Sequence, residues 1–300
     1  MNAVQSRKLI AAAVVALPTL AAVHGAVLLW QGRVSSLELG LLLAMYVLTL
    51  LGVEGGFHRL ASHRAFKTHP LVRNLFMVAG SMASQGPPIF WAATHRKHHT
   101  YTDAAGDPHS PAAQGKGLGP ALKGFFHGHL GWLFADETAD AGRYAPDLLR
   151  DRGLLRINQL YPAWVLLGLL LPAVLAGLAT GTWAGAYGGL LWGGLVRTFL
   201  VHHAVWSVNS LCHLVGSRPN PQGGESRNNF VLALFTLGGA WHNNHHAFPG
   251  AASLSFRWWQ LDITGLFIQS LAGLKLASEL RGLPEQPAAA MKLPPGITKS

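Results

Sequence analysis

The chain has one cysteine, Cys212, in 300 residues, so no disulfide can form within it. Charge is also scarce. Asp, Glu, Lys and Arg make up 12% of the residues, against about 25% in a soluble domain. Acids are the rarer sign: 13 face 23 Lys and Arg, for a formal net charge of +10. That balance would suit nucleic acid. The basic residues do not form runs interleaved with aromatics, however, so no nucleic-acid partner is expected. No internal repeat and no glycine-rich dinucleotide fingerprint is present.

Apolar residues are abundant. Half the chain is hydrophobic and the mean hydropathy is positive, which marks an integral membrane protein. Arg7 and Lys8 precede an apolar run over 9–30. That run is too long for the core of a signal peptide and reads as a first, uncleaved transmembrane helix. A second span covers 36–56, after a turn at 32–35. Residues 160–178 and 183–205 form another hairpin, whose turn at 179–182 carries no charge. Residues 71–91 are broken by Gly80, Gly86, Pro87 and Pro88 and are not expected to span. Within 256–281, Ile263, Leu266, Phe267, Leu271 and Leu274 fall at helical spacing. With Trp258 and Trp259 they predict a helix lying on the membrane surface. The tail, 284–300, is rich in Pro and Ala and is expected to be disordered. Of the Lys and Arg residues, only Arg33 falls in an outer turn, and Arg197 lies in a span. The positive-inside rule then puts both termini and the segments between the hairpins in the cytoplasm.

Four histidine clusters carry the chemistry. They are His58 to His63, His95 to His99, Asn209 to His213, and Trp241 to His246. Together they hold nine of the sixteen histidines: His58, His63, His95, His98, His99, His213, His242, His245 and His246. Neutral imidazole is a common ligand for transition metals. Nine imidazoles are too many for one ion and suit two. His95, His98 and His99 share one helical face, as do His242, His245 and His246. Each set is expected to present its ligands to one point. His58 and His63 are i, i+5, about 140° apart on a regular helix. They are expected to serve different metals, or to lie where the helix ends. Glu54, four residues before His58, either supports that ring from behind or is an interface charge. His202 and His203, near the last span, support the ligands from behind or are structural. His24 and Cys212 are read as an interface residue and a packing residue.

HRLASH, HRKHH and HNNHH resemble the three histidine boxes of the membrane-bound fatty acyl desaturases. NSLCH resembles the NSxxH element of the stearoyl-CoA (Δ9) branch, and VHHAVWSV and ESRNN resemble its bacterial members. The match runs from about 36 to 260. With the spans above, it implies an all-α integral membrane fold in one domain, 1–283. Four transmembrane helices in two hairpins would carry a cytoplasmic helical cap, 57–153 and 206–283, holding a histidine-rich di-iron site in a bacterial inner membrane. The resemblance implies that the nine histidines bind two iron ions, and that Asn209 contributes through water. It implies that Gln85 and Trp91 line the bend of an acyl tunnel, although Trp91 also suits an interfacial anchor. Asp103 and Asp107 follow the second box as DPH does in the family, and are expected to support ligands; His109 either does so or lies at the surface. His127 and His129 have family counterparts and no expected metal role.

The implied reaction is O₂-dependent insertion of a cis double bond, expected at Δ9, into a saturated chain on CoA, acyl carrier protein or lipid. With no dinucleotide site, electrons must come from a separate donor such as ferredoxin, rubredoxin or a cytochrome b5-like protein with its reductase. Few acids and no repeated Glu-x-x-His pair argue against a carboxylate-rich di-iron bundle. A related hydroxylase or acetylenase would use the same boxes. A histidine-rich metal transporter would string its ligands along the spans, whereas these clusters gather at one face. One position departs from the family. An acid is common two residues before the aromatic that precedes the last box, and here that residue is Gly239. The support of the last box is thereby put in question.

Overall fold

A computed structural model describes residues 2–111 and 117–283. The tail expected to be disordered, 284–300, lies outside the described residues. Helix α1, Ala3–Trp30, starts at a capping box between Asn2 and Gln5. Helix α2, Ser36–Ser62, starts at a second box between Ser35 and Glu38. From Gly52 onward α2 is a π-helix. The next helices are α3, Pro70–Ser81, α4, Pro88–Tyr101, and α5, Leu118–His129. Gly86 in the left-handed region and the Pro87-Pro88 pair separate α3 from α4, so 71–91 is not one segment.

Short helices at Ala141–Tyr144, Pro146–Leu149 and Arg152–Gln159 lead into α6, Tyr161–Thr180. Trp183–Gly189, a π-helical Leu190–Val196 and Arg197–Ser210 run on as one helix, α7. Three helices follow: α8, Phe230–Phe235, α9, His242–Ala247, and α10, Ile263–Gly273. The surface helix expected over 256–281 is thus shorter. Asp262 caps its start by accepting from the Gly265 N–H, and Lys275 at φ 59° follows its end. Strand β1, Lys67–Thr68, pairs antiparallel with β2, Ala277–Ser278, and fastens the segment after α10 near the first histidine box.

Helices α1, α2 and α6 are long and apolar enough to cross a membrane. Leu17, Leu20, Leu43, Leu166 and Leu170 stand exposed on them, as on helices whose solvent is lipid. Helix α7 is richer in glycine and polar groups, and its Trp192, Val196, Val201 and Val205 are buried. Arg197 lies inside that packing. Its guanidinium donates to the carbonyls of Met82, Gly168 and Gly193 at 2.8–3.1 Å and ties α7 to α6 and to the end of α3. Trp30 and Trp183, where the two hairpins turn, are each 92% exposed, as interface anchors are.

The backbones of α2 and α3 touch. A Cβ on Gly52 would lie 2.1 Å from the Gly80 nitrogen, so the crossing admits no side chain there. This contact fixes the π-helical end of α2, which carries the first box. The arginines of the boxes act as braces. Arg59 grips Asp262 through two bonds of 2.8 Å, both side chains buried, and donates to the Ala252 carbonyl. Arg96 donates to Asp147 and to the carbonyls of Ala61, Ser62 and Tyr144. The first box is thereby held to both the second box and the segment after the third.

Candidate metal centre

The π-helical turn resolves the odd spacing of the first box. Such a helix bonds i to i+5, so residues five apart lie on one face. His58 and His63 sit there, with ring centroids 5.1 Å apart. They join one group with His95 and His245, so of the two expectations the structure favours the second. His63 does lie where the helix ends, as its C-cap. Within this group His58 Nε2 is 3.1 Å from His245 Nε2, and His63 Nε2 is 2.7 Å from His95 Nε2. His99 Nε2 reaches His245 at 2.8 Å and His95 at 3.1 Å.

A second group gathers His98, His213, His242 and His246. Its Nε2 atoms meet at 3.1 Å for His98 with His246, 3.1 Å for His213 with His242, and 3.0 Å for His246 with His242. The two HxxHH sequences therefore do not each aim at one point, as their spacing suggested. Helix α4 gives His95 and His99 to the first group and His98 to the second. Helix α9 gives His245 to the first, and His242 and His246 to the second. The groups adjoin: the rings of His99 and His246 stack at 4.6 Å.

Three carboxylates stand behind the rings. Glu54 Oε2 is 3.0 Å from His58 Nδ1, Asp103 Oδ1 is 3.0 Å from His213 Nδ1, and both Asp107 oxygens are 2.9 Å from His98 Nδ1. Each acid fixes its imidazole with the proton on Nδ1 and the lone pair on Nε2. Asp107 also accepts from the N–H groups of Asp103, His109 and Ser110. Burial opposes its charge, but His98 first and then His109 hold its carboxyl below the usual range. For Asp103, burial is likewise outweighed, mainly by His213, and the pKa falls to about 2.

Burial, reinforced by neighbouring imidazoles, pushes His63, His95, His99, His242, His245 and His246 well below 6.5. These rings are neutral near pH 7, the ligand form. The Nε2 atoms of His58, His98 and His213, turned inward by the acids behind them, lie about 3 Å from other imidazole nitrogens. Two nitrogens about 2.1 Å from one ion and at right angles to it lie about 3 Å apart. The donor set therefore fits two metal ions.

A small cavity of about 30 Å³ borders the first group. It is lined by Gln85, Phe90, Trp91, Thr94, His95, His109, Trp132, Val205 and Asn209. Trp91 stacks on His95 at 5.0 Å. Four of the lining residues hold a buried polar atom without a hydrogen-bond partner among the described residues: Gln85 Nε2, Thr94 Oγ1, His109 Nδ1 and Trp132 Nε1. A sealed apolar core would not keep four such atoms. The family resemblance implied Gln85 and Trp91 as tunnel residues and Asn209 as a ligand through water; nothing in the sequence pointed to Thr94 or Trp132, which carry no motif.

Several other candidates have partners elsewhere. His202 Nε2 is 3.0 Å from the Ala83 carbonyl, and His203 Nδ1 is 3.0 Å from His129 Nε2. His109 belongs to a further group with His98 and Asp107. Cys212 is buried with Val208, Trp241 and Leu254, and burial pushes its thiol pKa up, as suits a packing residue.

The six-residue α9 is too short to hold itself. Its asparagines supply the frame. Asn228 Oδ1 accepts from the N–H groups of Asn243 and Asn244, Asn243 donates to the Asn220 and Ser226 carbonyls, and Asn244 donates to Leu254 O and Gln260 Oε1. This network, buried with the box, explains why asparagine stands between its histidines.

Residues 35–265 match the family model described as fatty acid desaturase. The chain is 42% identical over 267 residues to a hex-5-enoyl-[acyl-carrier protein] acetylenase of Moorena producens (strain JHB), covering 88% of this chain and 83% of that one. It is 36% identical to an acyl-CoA C20 Delta5-desaturase of Anemone leveillei, over 79% and 72% of the two chains. It is 35% identical to an sn-1 stearoyl-lipid 9-desaturase of Anabaena variabilis, over 81% and 83%.

Proposed function

The chain belongs to the fatty acid desaturase family, and from that membership we propose an O₂-dependent acyl desaturase that places a cis double bond, at Δ9, in a saturated acyl chain. The observation that carries this reading is the cavity against His95, beside two groups of histidines. His58, His63, His95, His99 and His245 would hold one iron, and His98, His213, His242 and His246 the other, with Asn209 adding a ligand through water. An iron pair supplies the O₂-reducing power needed to break unactivated C–H bonds, which no side chain has. The protein's share is placement. Trp91 and Gln85 position the chain beside His95, Glu54, Asp103 and Asp107 keep ligand lone pairs forward, and the buried surround keeps bulk water out.

Four spans, 9–30, 36–56, 160–178 and 183–205, would form two hairpins in a bacterial inner membrane. The cap, 57–153 and 206–283, would then face the cytoplasm, where basic residues concentrate. There it would meet an acyl group on CoA, acyl carrier protein or lipid, and a separate electron donor of the ferredoxin, rubredoxin or cytochrome b5 kind.

A second reading has its own support. The Moorena producens relative is named for making an acetylenic bond on a carrier-bound hexenoyl group. This chain would then act on an alkene already present. The test is the fatty-acid profile, by gas chromatography–mass spectrometry, of a desaturase-deficient host expressing the chain or His245→Ala. A monounsaturated product lost in the variant supports desaturation and locates the bond. A triple-bonded product supports the second reading. No product from iron-loaded protein with donors and acyl substrates on all three carriers would overturn both.

A further inference from the structure

Gly239 has no backbone reason to be glycine, because its φ is not left-handed; its neighbour Gly238, at φ 103°, does have one. What limits Gly239 is space. A Cβ there would lie 2.5 Å from Glu54 Oε1, 2.7 Å from its carboxyl carbon and 2.9 Å from Oε2. The Glu54 carboxylate thus occupies the place into which a side chain at 239 would project. It is buried, and it faces His58 Nδ1 at 3.0 Å.

The turn cannot recoil to make room. Gly239 N–H donates to Thr236 O, Ala240 N–H to Thr236 Oγ1, and Asn229 N–H to Ala240 O. Trp241 and His242 follow directly, so a shifted turn would drag a histidine of the second group. The distances also show where an acid at 239 would reach. In a glutamate the carboxyl carbon lies about 2.5 Å from Cβ, two bonds of ~1.5 Å away. Glu54's carboxyl carbon is 2.7 Å from the same point.

We propose that Glu54 and Gly239 form one positioning unit: a single carboxylate slot behind His58 that can be filled from α2 or from the turn before α9, but not from both. Glu54 fills it here, and glycine at 239 keeps it open. The acid missing from the turn is thus supplied from the first box. This deepens the metal reading and rests on His58 being a ligand.

The test uses full-length protein in detergent: wild type, Glu54→Ala, Gly239→Glu, and the double variant Glu54→Ala/Gly239→Glu. Iron affinity is read by chelator competition, and ligand geometry by the absorption bands of the Co(II)-substituted protein. Each single variant should bind iron about 10–100-fold more weakly. The double variant should regain about tenfold over either single, a gain of about 1.4 kcal/mol, and should recover the wild-type Co(II) bands. A Glu54→Ala protein that binds like wild type, or a double variant no better than its worse parent, would overturn the proposal. Wild type that binds no metal would overturn the metal reading with it.

A folding readout guards against collapse of Gly239→Glu. Gly239→Ala should lower the melting temperature of the metal-free protein when Glu54 is present, and leave it unchanged in the Glu54→Ala background. Equal effects in both backgrounds would mean that the two residues do not share the slot.

Discussion

The backbone N–H of His63 donates to the carbonyl of His58, five residues earlier, at 3.2 Å. That bond closes the π-helical turn and puts both rings against His95 and His245. Deletion of Gly55, earlier in the same π-helix, would favour α-helical register, in which His58 and His63, still five apart, lie about 140° from each other. Helix content by circular dichroism should change little. Iron affinity should fall more than about 100-fold, beyond what loss of one supporting bond gives. Unchanged affinity would show that the π-helical register is dispensable.

Asp107 has the most connected of the three supporting carboxylates, with His98 and three backbone N–H groups as partners. Asp107→Asn keeps the shape and removes the charge. Iron binding should weaken about 10–100-fold. The neighbouring loop should also loosen, visible as faster amide exchange at Asp103, His109 and Ser110. Protection of these amides as in wild type would limit Asp107 to its contact with His98.

Acid should dismantle the centre in a defined order. The six imidazoles held well below 6.5 take up protons near 6.5 in the unfolded chain and only at much lower pH when folded. Below 6.5 the unfolded state binds more protons, so stability falls as pH falls; above it this contribution is flat. Asp103, at about 2, and Asp107 add stability that is present above 3.8 and lost as pH drops through their folded values. Melting temperatures of the metal-free protein from pH 8 to 5 should stay level to about 6.5 and then decline. A rise toward pH 5 would contradict this assignment.

The Arg59–Asp262 pair predicts a stability effect separate from metal. Both groups are buried, and Asp262 also accepts from the N–H groups of Leu254 and Gly265. Asp262→Asn leaves a buried guanidinium without its counter-charge, at a cost of about 3–5 kcal/mol. A clear drop in melting temperature should appear with and without iron. A drop confined to the iron-loaded form would mean that the pair serves the centre rather than the fold.

How far the sequence was legible depends on which period each segment obeys. The apolar runs over 9–30 and 160–178 carry their own signal, since lipid demands an uninterrupted stretch; they correspond, to within a residue or two, to parts of α1 and α6. Helix α7 is less plain, because its glycines serve close packing rather than hydropathy. His95, His98 and His99 were readable as one helical cluster. Their division between two groups was not, because it depends on how α4 crosses α9. The i, i+5 spacing of His58 and His63 misled because a regular helix was assumed, and no residue pattern announces a π-helix. Glu54 was visible four residues before His58, but its meeting with Gly239 depends on residues 185 positions apart in the chain.

Helices α4 and α9 each give histidines to both groups. An ion held by His95 and His245 would bear on the same two backbones that carry His98, His242 and His246, so two ions bound there would not be independent, and any coupling between them would be reciprocal.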